Sequence, residues 1–125
     1  MWHLPAIPGV LERALVGLVA VDELLIERGV VPSLYESGVR YRWVKPGNGW
    51  DHAGIVYARG YGDCKDVGAW RCAELRLQGV DARCIVVQTG PANYHVQVQL
   101  PSGDVEDPSV TLLKLQGDPH ALSLR

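Results

Sequence analysis

Gly60-Tyr61-Gly62-Asp63-Cys64-Lys65-Asp66 is the stretch of this 125-residue sequence whose residue types and spacing suit nucleophilic chemistry. Asp63 is a good helix N-cap, and Asp66 stands three residues later, where the acid of a capping box belongs. Cys64 then takes the first helical position, its sulfur beside unpaired N–H groups and the positive end of the helix dipole. Thiolates are favoured in such places. The dipole alone contributes roughly 0.3–1 kcal/mol at an exposed site, and Asp63 pulls the other way. A reactive thiolate at neutral pH therefore needs a cationic neighbour, and histidine is the usual one.

The element that must position the sulfur is a helix from Lys65 to Gln78, stopped by Gly79. At 100° per residue, Cys64, Gly68, Cys72, Leu75 and Gly79 fall within roughly an 80° arc of small or apolar residues. Trp70, Ala73 and Leu77 form a second apolar stripe almost opposite, while Arg71, Glu74 and Gln78 keep one flank in water. A helix apolar on two faces is sandwiched. Its flat partner is the sheet that follows, with Cys64 on the side that meets it.

Two β-type runs, Ala82 to Thr89 and Asn93 to Leu100, precede Asp104 to Asp107 and then Pro108. Alternation puts His95, Gln97 and Gln99 on one face. Pro101-Ser102-Gly103 suits a three-residue hairpin loop with Gly103 in the left-handed position. That loop pairs Leu100 with Asp104 and hence Gln97 with Asp107, making His95 and Asp107 diagonal neighbours on one face. A two-residue loop would send Asp107 to the opposite face. Two glutamines beside a histidine under a helix leave two alternatives: the helix covers only the start of this strand, or Gln97 lines the site.

The remaining chain supplies the frame. Val10 to Arg28 reads as a helix closed by Gly29, with Asp22 in the middle of its apolar arc. A carboxylate there is expected to pair with an arginine such as Arg40 or Arg42. Residues 31–49 are turn-rich around Val39 to Val44, a strand or an irregular arm. Trp50 to Arg59 reads as a short helix ended by Gly60, and Thr111 to Arg125 as an extended or weakly helical wrap. Helices first and a small antiparallel sheet afterwards is the α+β pattern, in one domain.

Composition removes several classes of function. The formal net charge is −2 with acids and bases interspersed, so no basic stripe exists to neutralise phosphates, and nucleic acid is a poor partner. Met1 is followed by Trp2-His3-Leu4-Pro5 rather than a signal sequence, and the apolar stretch Ala14 to Val21 is too short to span a bilayer. Three cysteines without framework spacing point to reduced thiols in the cytoplasm. Cys64 and Cys72 are two turns apart, and His3, His52 and His120 are scattered, so neither a metal site nor a cofactor is expected. Cys72 and Cys84 read as small core residues. A thiol-based redox domain would need a resolving cysteine at a useful spacing, which the sequence does not display.

Gly62-Asp63-Cys64-Lys65-Asp66, then His95 opening a strand, then Glu106-Asp107-Pro108-Ser109 resembles the transglutaminase-like superfamily of papain-type cysteine folds. The order Cys, His, Asp is that family's order. Leu34-Tyr35-Glu36-Ser37-Gly38-Val39-Arg40-Tyr41 and Ala73-Glu74-Leu75-Arg76 are similar to small stand-alone members from bacteriophage and bacterial genomes. The likeness covers about residues 32 to 110, flanked by the helix at about 10–28 and the tail 111–125.

The resemblance implies a papain-like core with Cys64 as nucleophile, His95 as general base and acid, and Asp107 orienting the imidazole. The backbone N–H of Cys64 would be one oxyanion donor. A second comes from an upstream loop in that family, with Asn48, Trp50 and Tyr61 as candidates. Gln97 stands where members often carry an aromatic residue, and the chain lacks the extra domains of cross-linking transglutaminases. The implied activity is cysteine-dependent acyl transfer on an amide of a protein or peptide, as a peptidase, deamidase or transamidase. The alternative is a non-catalytic binding or structural module, such as a phage assembly or virion component. In either case the N-terminal helix offers a surface for a protein partner.

Overall fold

The computed structural model describes residues 7–43, 49–91 and 93–117. Helix α1 (Ile7–Glu27) is followed by a single 3-10 turn (Leu34–Glu36), strand β1 (Arg40–Tyr41), helix α2 (Ala53–Arg59) and strand β2 (Tyr61–Gly62). Helix α3 (Cys64–Leu77), strands β3 (Arg83–Gly90), β4 (Asn93–Gln99) and β5 (Val105–Glu106), and helix α4 (Pro108–Leu115) complete the order. The class is α+β: among the described residues there are four α-helices, an antiparallel sheet in the order β3-β4-β5, and a short parallel pair of β1 with β2.

The hairpin between β4 and β5 forms as its turn residues dictate. Gly103 adopts φ +93°, the left-handed conformation that glycine enters without a Cβ penalty. Leu100 N–H donates to the Asp104 carbonyl at 2.9 Å, and Gly103 N–H to the Leu100 carbonyl at 2.9 Å. Val98 pairs with Glu106 and Gln99 with Val105, so Gln97 stands opposite Asp107.

Helix α3 lies between two cores. On one side Cys72 and Ala73 pack with Leu15 and Val19 of α1, Cys84 and Val86 of β3, and Val96 and Val98 of β4. On the other, Val67 and Trp70 pack with Leu34, Val39, Val56 and Leu112. Each fully buried aliphatic side chain contributes about 1.5–3 kcal/mol relative to its exposed state, so the helix bearing Cys64 is held from both directions. Its approach to the sheet is close at Gly68, where a Cβ would come within 2.8 Å of Val96 Cγ1.

Several expectations are corrected. Of the two readings of the tail, the helical one holds as far as Leu115, and the helix starts earlier than expected: α4 forms because Asp107 caps it, Pro108 stands at the first helical turn, and Val110, Leu112 and Leu113 are buried. Residues 118–125 of that segment lie outside the described residues. The helix expected from Trp50 begins at Ala53, because His52 is its N-cap, with Nδ1 accepting the Ile55 N–H at 3.3 Å. Of Val39 to Val44, Arg40–Tyr41 is the strand, and Val44 is outside the described residues.

Asp22 is fully buried but meets no arginine; one carboxylate oxygen accepts the Ala53 N–H at 2.8 Å, and the other has no partner among the described residues. Burial raises its carboxyl to about 7, with the Ala53 N–H opposing and the charge of Asp66 adding to the rise. Glu74 leaves the wet flank as well. It is buried, accepting the backbone N–H of Leu34 and the Arg71 guanidinium, the latter at 3.0 Å. Among the described residues no helix is long and apolar enough to cross a membrane.

Candidate active site

Cys64 is the first residue of α3, half-buried, with its helix start closed by a reciprocal capping box. Asp63 accepts the Asp66 N–H at 3.3 Å, and Asp66 accepts the Asp63 N–H at 3.2 Å. Asp66 does more than cap. It also accepts the Asp51 N–H at 3.2 Å and an Arg59 N–H at 3.1 Å, while Arg59 reaches Asp51 at 2.6 Å. The first turn of α3 is thereby tied to the segment before α2. Burial and then the charge of Asp63 push the Asp66 carboxyl up to about 6. Lys65 lies part-buried against Asp63.

The register of β4 and β5 brings His95 and Asp107 into contact, with Nε2 of the ring 2.7 Å from Oδ2 of the carboxylate. Gln97 Nε2 donates to the same oxygen at 3.2 Å, and the Val110 N–H donates to Oδ1 at 3.3 Å. Burial works to raise the Asp107 carboxyl, but His95, Gln97 and that N–H outweigh it and hold it below its ordinary value. His95 moves the opposite way, to about 10. The hydrogen bond with Asp107 contributes most and the Cys64 sulfur next, against the opposing effect of burial. With Nε2 engaged by Asp107, Nδ1 is the ring nitrogen left for the sulfur.

The face of β4 that meets α3 is the valine face. Val96 and Val98 are buried against the helix, whereas His95, Gln97 and Gln99 are only half-buried on the other side. Of the two alternatives left by the glutamines, Gln97 lines the site, because α3 covers the valine face of β4 and not the face that carries His95, Gln97 and Gln99. The sulfur of Cys64, at the N-terminal tip of α3, acts on the ring.

The other candidates are dispersed. Gln97 is at the site, holding Asp107. Trp50 is substantially exposed, one residue from the Asp51 anchor on α3. Tyr61 stacks with two guanidiniums, Arg42 at 4.9 Å and Arg59 at 4.7 Å from its ring centroid, which is a bracing role. Asn48 lies outside the described residues. Among the described residues, no three His, Cys, Asp or Glu side chains are grouped so as to hold a metal ion.

Two features escaped the sequence reading. Tyr41 pairs with Gly62, two residues before Cys64, and its N–H donates to Gln116 Oε1 at 2.8 Å. Burial raises its phenol, and Cys64, Asp63 and Asp107 add to the effect. The second feature is a brace across the base of the site. Arg71 bonds Glu106 at 2.6 Å, Tyr35 O–H donates to Glu106 at 2.7 Å, and the Arg71 guanidinium lies over the Tyr35 ring. It fixes β5, and so Asp107, to α3. The signal for it was the cluster of polar residues on α3 that were assigned to water.

No protein-family model matches the chain, and neither does any curated protein or solved structure.

Proposed function

We propose that this protein is a cysteine-dependent acyl-transfer enzyme of the transglutaminase-like, papain-type class, acting on amide bonds of protein or peptide substrates. The observation that carries the reading is one imidazole held at 2.7 Å by Asp107 and shifted upward as well by the sulfur of Cys64 at a helix N-terminus. Cys64, as a thiolate paired with protonated His95, attacks the amide carbonyl. The amine leaves with the proton given by His95, and a thioester remains on Cys64. Water or a second amine, deprotonated by His95, then releases the acyl group. The backbone N–H of Cys64 is one donor to the developing oxyanion. Three free cysteines favour work in a reducing compartment, the cytoplasm.

Alkylation by iodoacetamide at about pH 6 tests this, because a free cysteine is almost wholly protonated there. Cys64 is expected to react roughly 10- to 100-fold faster than free cysteine, and to lose that advantage in His95→Ala. Alkylation no faster than free cysteine would instead support a non-catalytic binding or structural module, such as a phage assembly component.

A further inference from the structure

Cys72 and Cys84 stand 12 residues apart in the sequence, on a helix and a strand, and neither belongs to the site of Cys64. The contact of α3 with the sheet carries them to one place. Gly68 lies over Val96 at the close approach described above. Cys72, one turn further along the same stripe, advances about 6 Å along the helix axis. Val98, two residues further along the same face of β4, advances about 6.6 Å. Cys72 therefore falls over the row that holds Val98, and Val98 is paired with Cys84 across the strands. Both cysteines belong to the same core cluster.

Both also line one cavity of about 640 Å³ bordered by Val16 and Val19 of α1 and by Arg76. Each thiol shifts the other: Cys84 holds the Cys72 thiol below its ordinary value, while Cys72 and burial together push Cys84 up. They are free thiols in this structure.

We propose that Cys72 and Cys84 are an oxidation site that closes into a reversible intrachain disulfide when hydrogen peroxide or a similar small two-electron oxidant enters this cavity. The Cys72 thiolate attacks one peroxide oxygen; the O–O bond breaks, hydroxide leaves, and Cys72 becomes a sulfenic acid. The Cys84 sulfur then attacks the sulfenic sulfur, the S–O bond breaks, and water departs with the Cys84 proton. The hydroxide takes up the proton Cys72 gave, so two thiols and one peroxide yield one disulfide and two waters. The cross-link joins the helix that carries Cys64 to the hairpin that carries His95, and its formation does not depend on any activity of Cys64.

Non-reducing tryptic mapping of the full chain after peroxide treatment tests the proposal. Trypsin separates the three cysteines, into Gly60–Lys65, Cys72–Arg76 and Cys84–Lys114. The expected product is Cys72–Arg76 joined to Cys84–Lys114 with the loss of two hydrogens, formed equally in Cys64→Ser and reversed by dithiothreitol. Recovery of Cys72 and Cys84 as free or singly oxidised thiols while Cys64 is consumed would overturn it. So would a cross-link that contains Cys64 or joins two chains.

Discussion

His95 is held between a carboxylate and a sulfur, and its protonation follows from that position. Its ring is raised to about 10 in the folded protein, chiefly by the hydrogen bond to Asp107, against an ordinary value of 6.5. The folded state thus keeps a proton that the unfolded chain releases. The resulting stability is complete below about pH 6.5 and is lost as pH rises through about 10. Wild type should therefore exceed His95→Gln in melting temperature by the widest margin near pH 6, with the margin closing toward pH 10. A margin constant across that range would exclude the charged pair. Asp107 carries two duties at this scale, orienting the ring and capping α4, so substitutions there mix chemistry with stability, whereas those at His95 do not touch the cap.

At the scale of elements, Gly68 decides how α3 meets β4. Alanine is ordinarily better than glycine in a helix by about 1 kcal/mol. Here the added Cβ would press on Val96 Cγ1 at 2.8 Å, and overpacking of this kind costs about 1–3 kcal/mol. Gly68→Ala is expected to lower stability in chemical denaturation, and to slow alkylation of Cys64 because His95 adjoins the displaced valine. A variant more stable than wild type would show that the helix can lift without cost.

The elements legible in the sequence were those set by local chemistry. Pro101-Ser102-Gly103 fixed a loop, the loop fixed the register, and the register put Asp107 beside His95. The Asp63 and Asp66 cap was readable for the same reason. Helix α4 is equally local, since Asp107-Pro108 is an N-cap followed by a helix-starting proline. What stayed hidden depended on distant partners. Asp22 found a backbone N–H 31 residues away rather than an arginine. Glu74 found Leu34, 40 residues away. Tyr41 reached the site through a parallel pairing with β2 that no periodicity announces.

Over the whole molecule, α3 is the shared wall of both cores, and the candidate site gathers at its N-terminal end. Cys64 belongs to that helix, His95 to the sheet packed on it, and Asp107 to the chain between β5 and α4. The sulfur thus sits where three packing units meet, and the Arg71–Glu106–Tyr35 brace ties two of them together. The same position makes the arrangement sensitive to changes far from it, because any shift of α3 against the hairpin moves one reacting group relative to the other.

Glu12 has a consequence for how copies of this protein behave toward one another. Its carboxylate accepts the Val86 N–H at 2.8 Å, on the outer strand of the sheet as described. A glutamate of α1 occupies the hydrogen-bonding position that a neighbouring strand would take, leaving no open rung there for another chain to join. Glu12→Ala should weaken the fold by about 1–2 kcal/mol and give concentration-dependent self-association by sedimentation, which wild type should not show under the same conditions. A variant that remains as monodisperse as wild type would mean that α1 guards the strand by bulk alone.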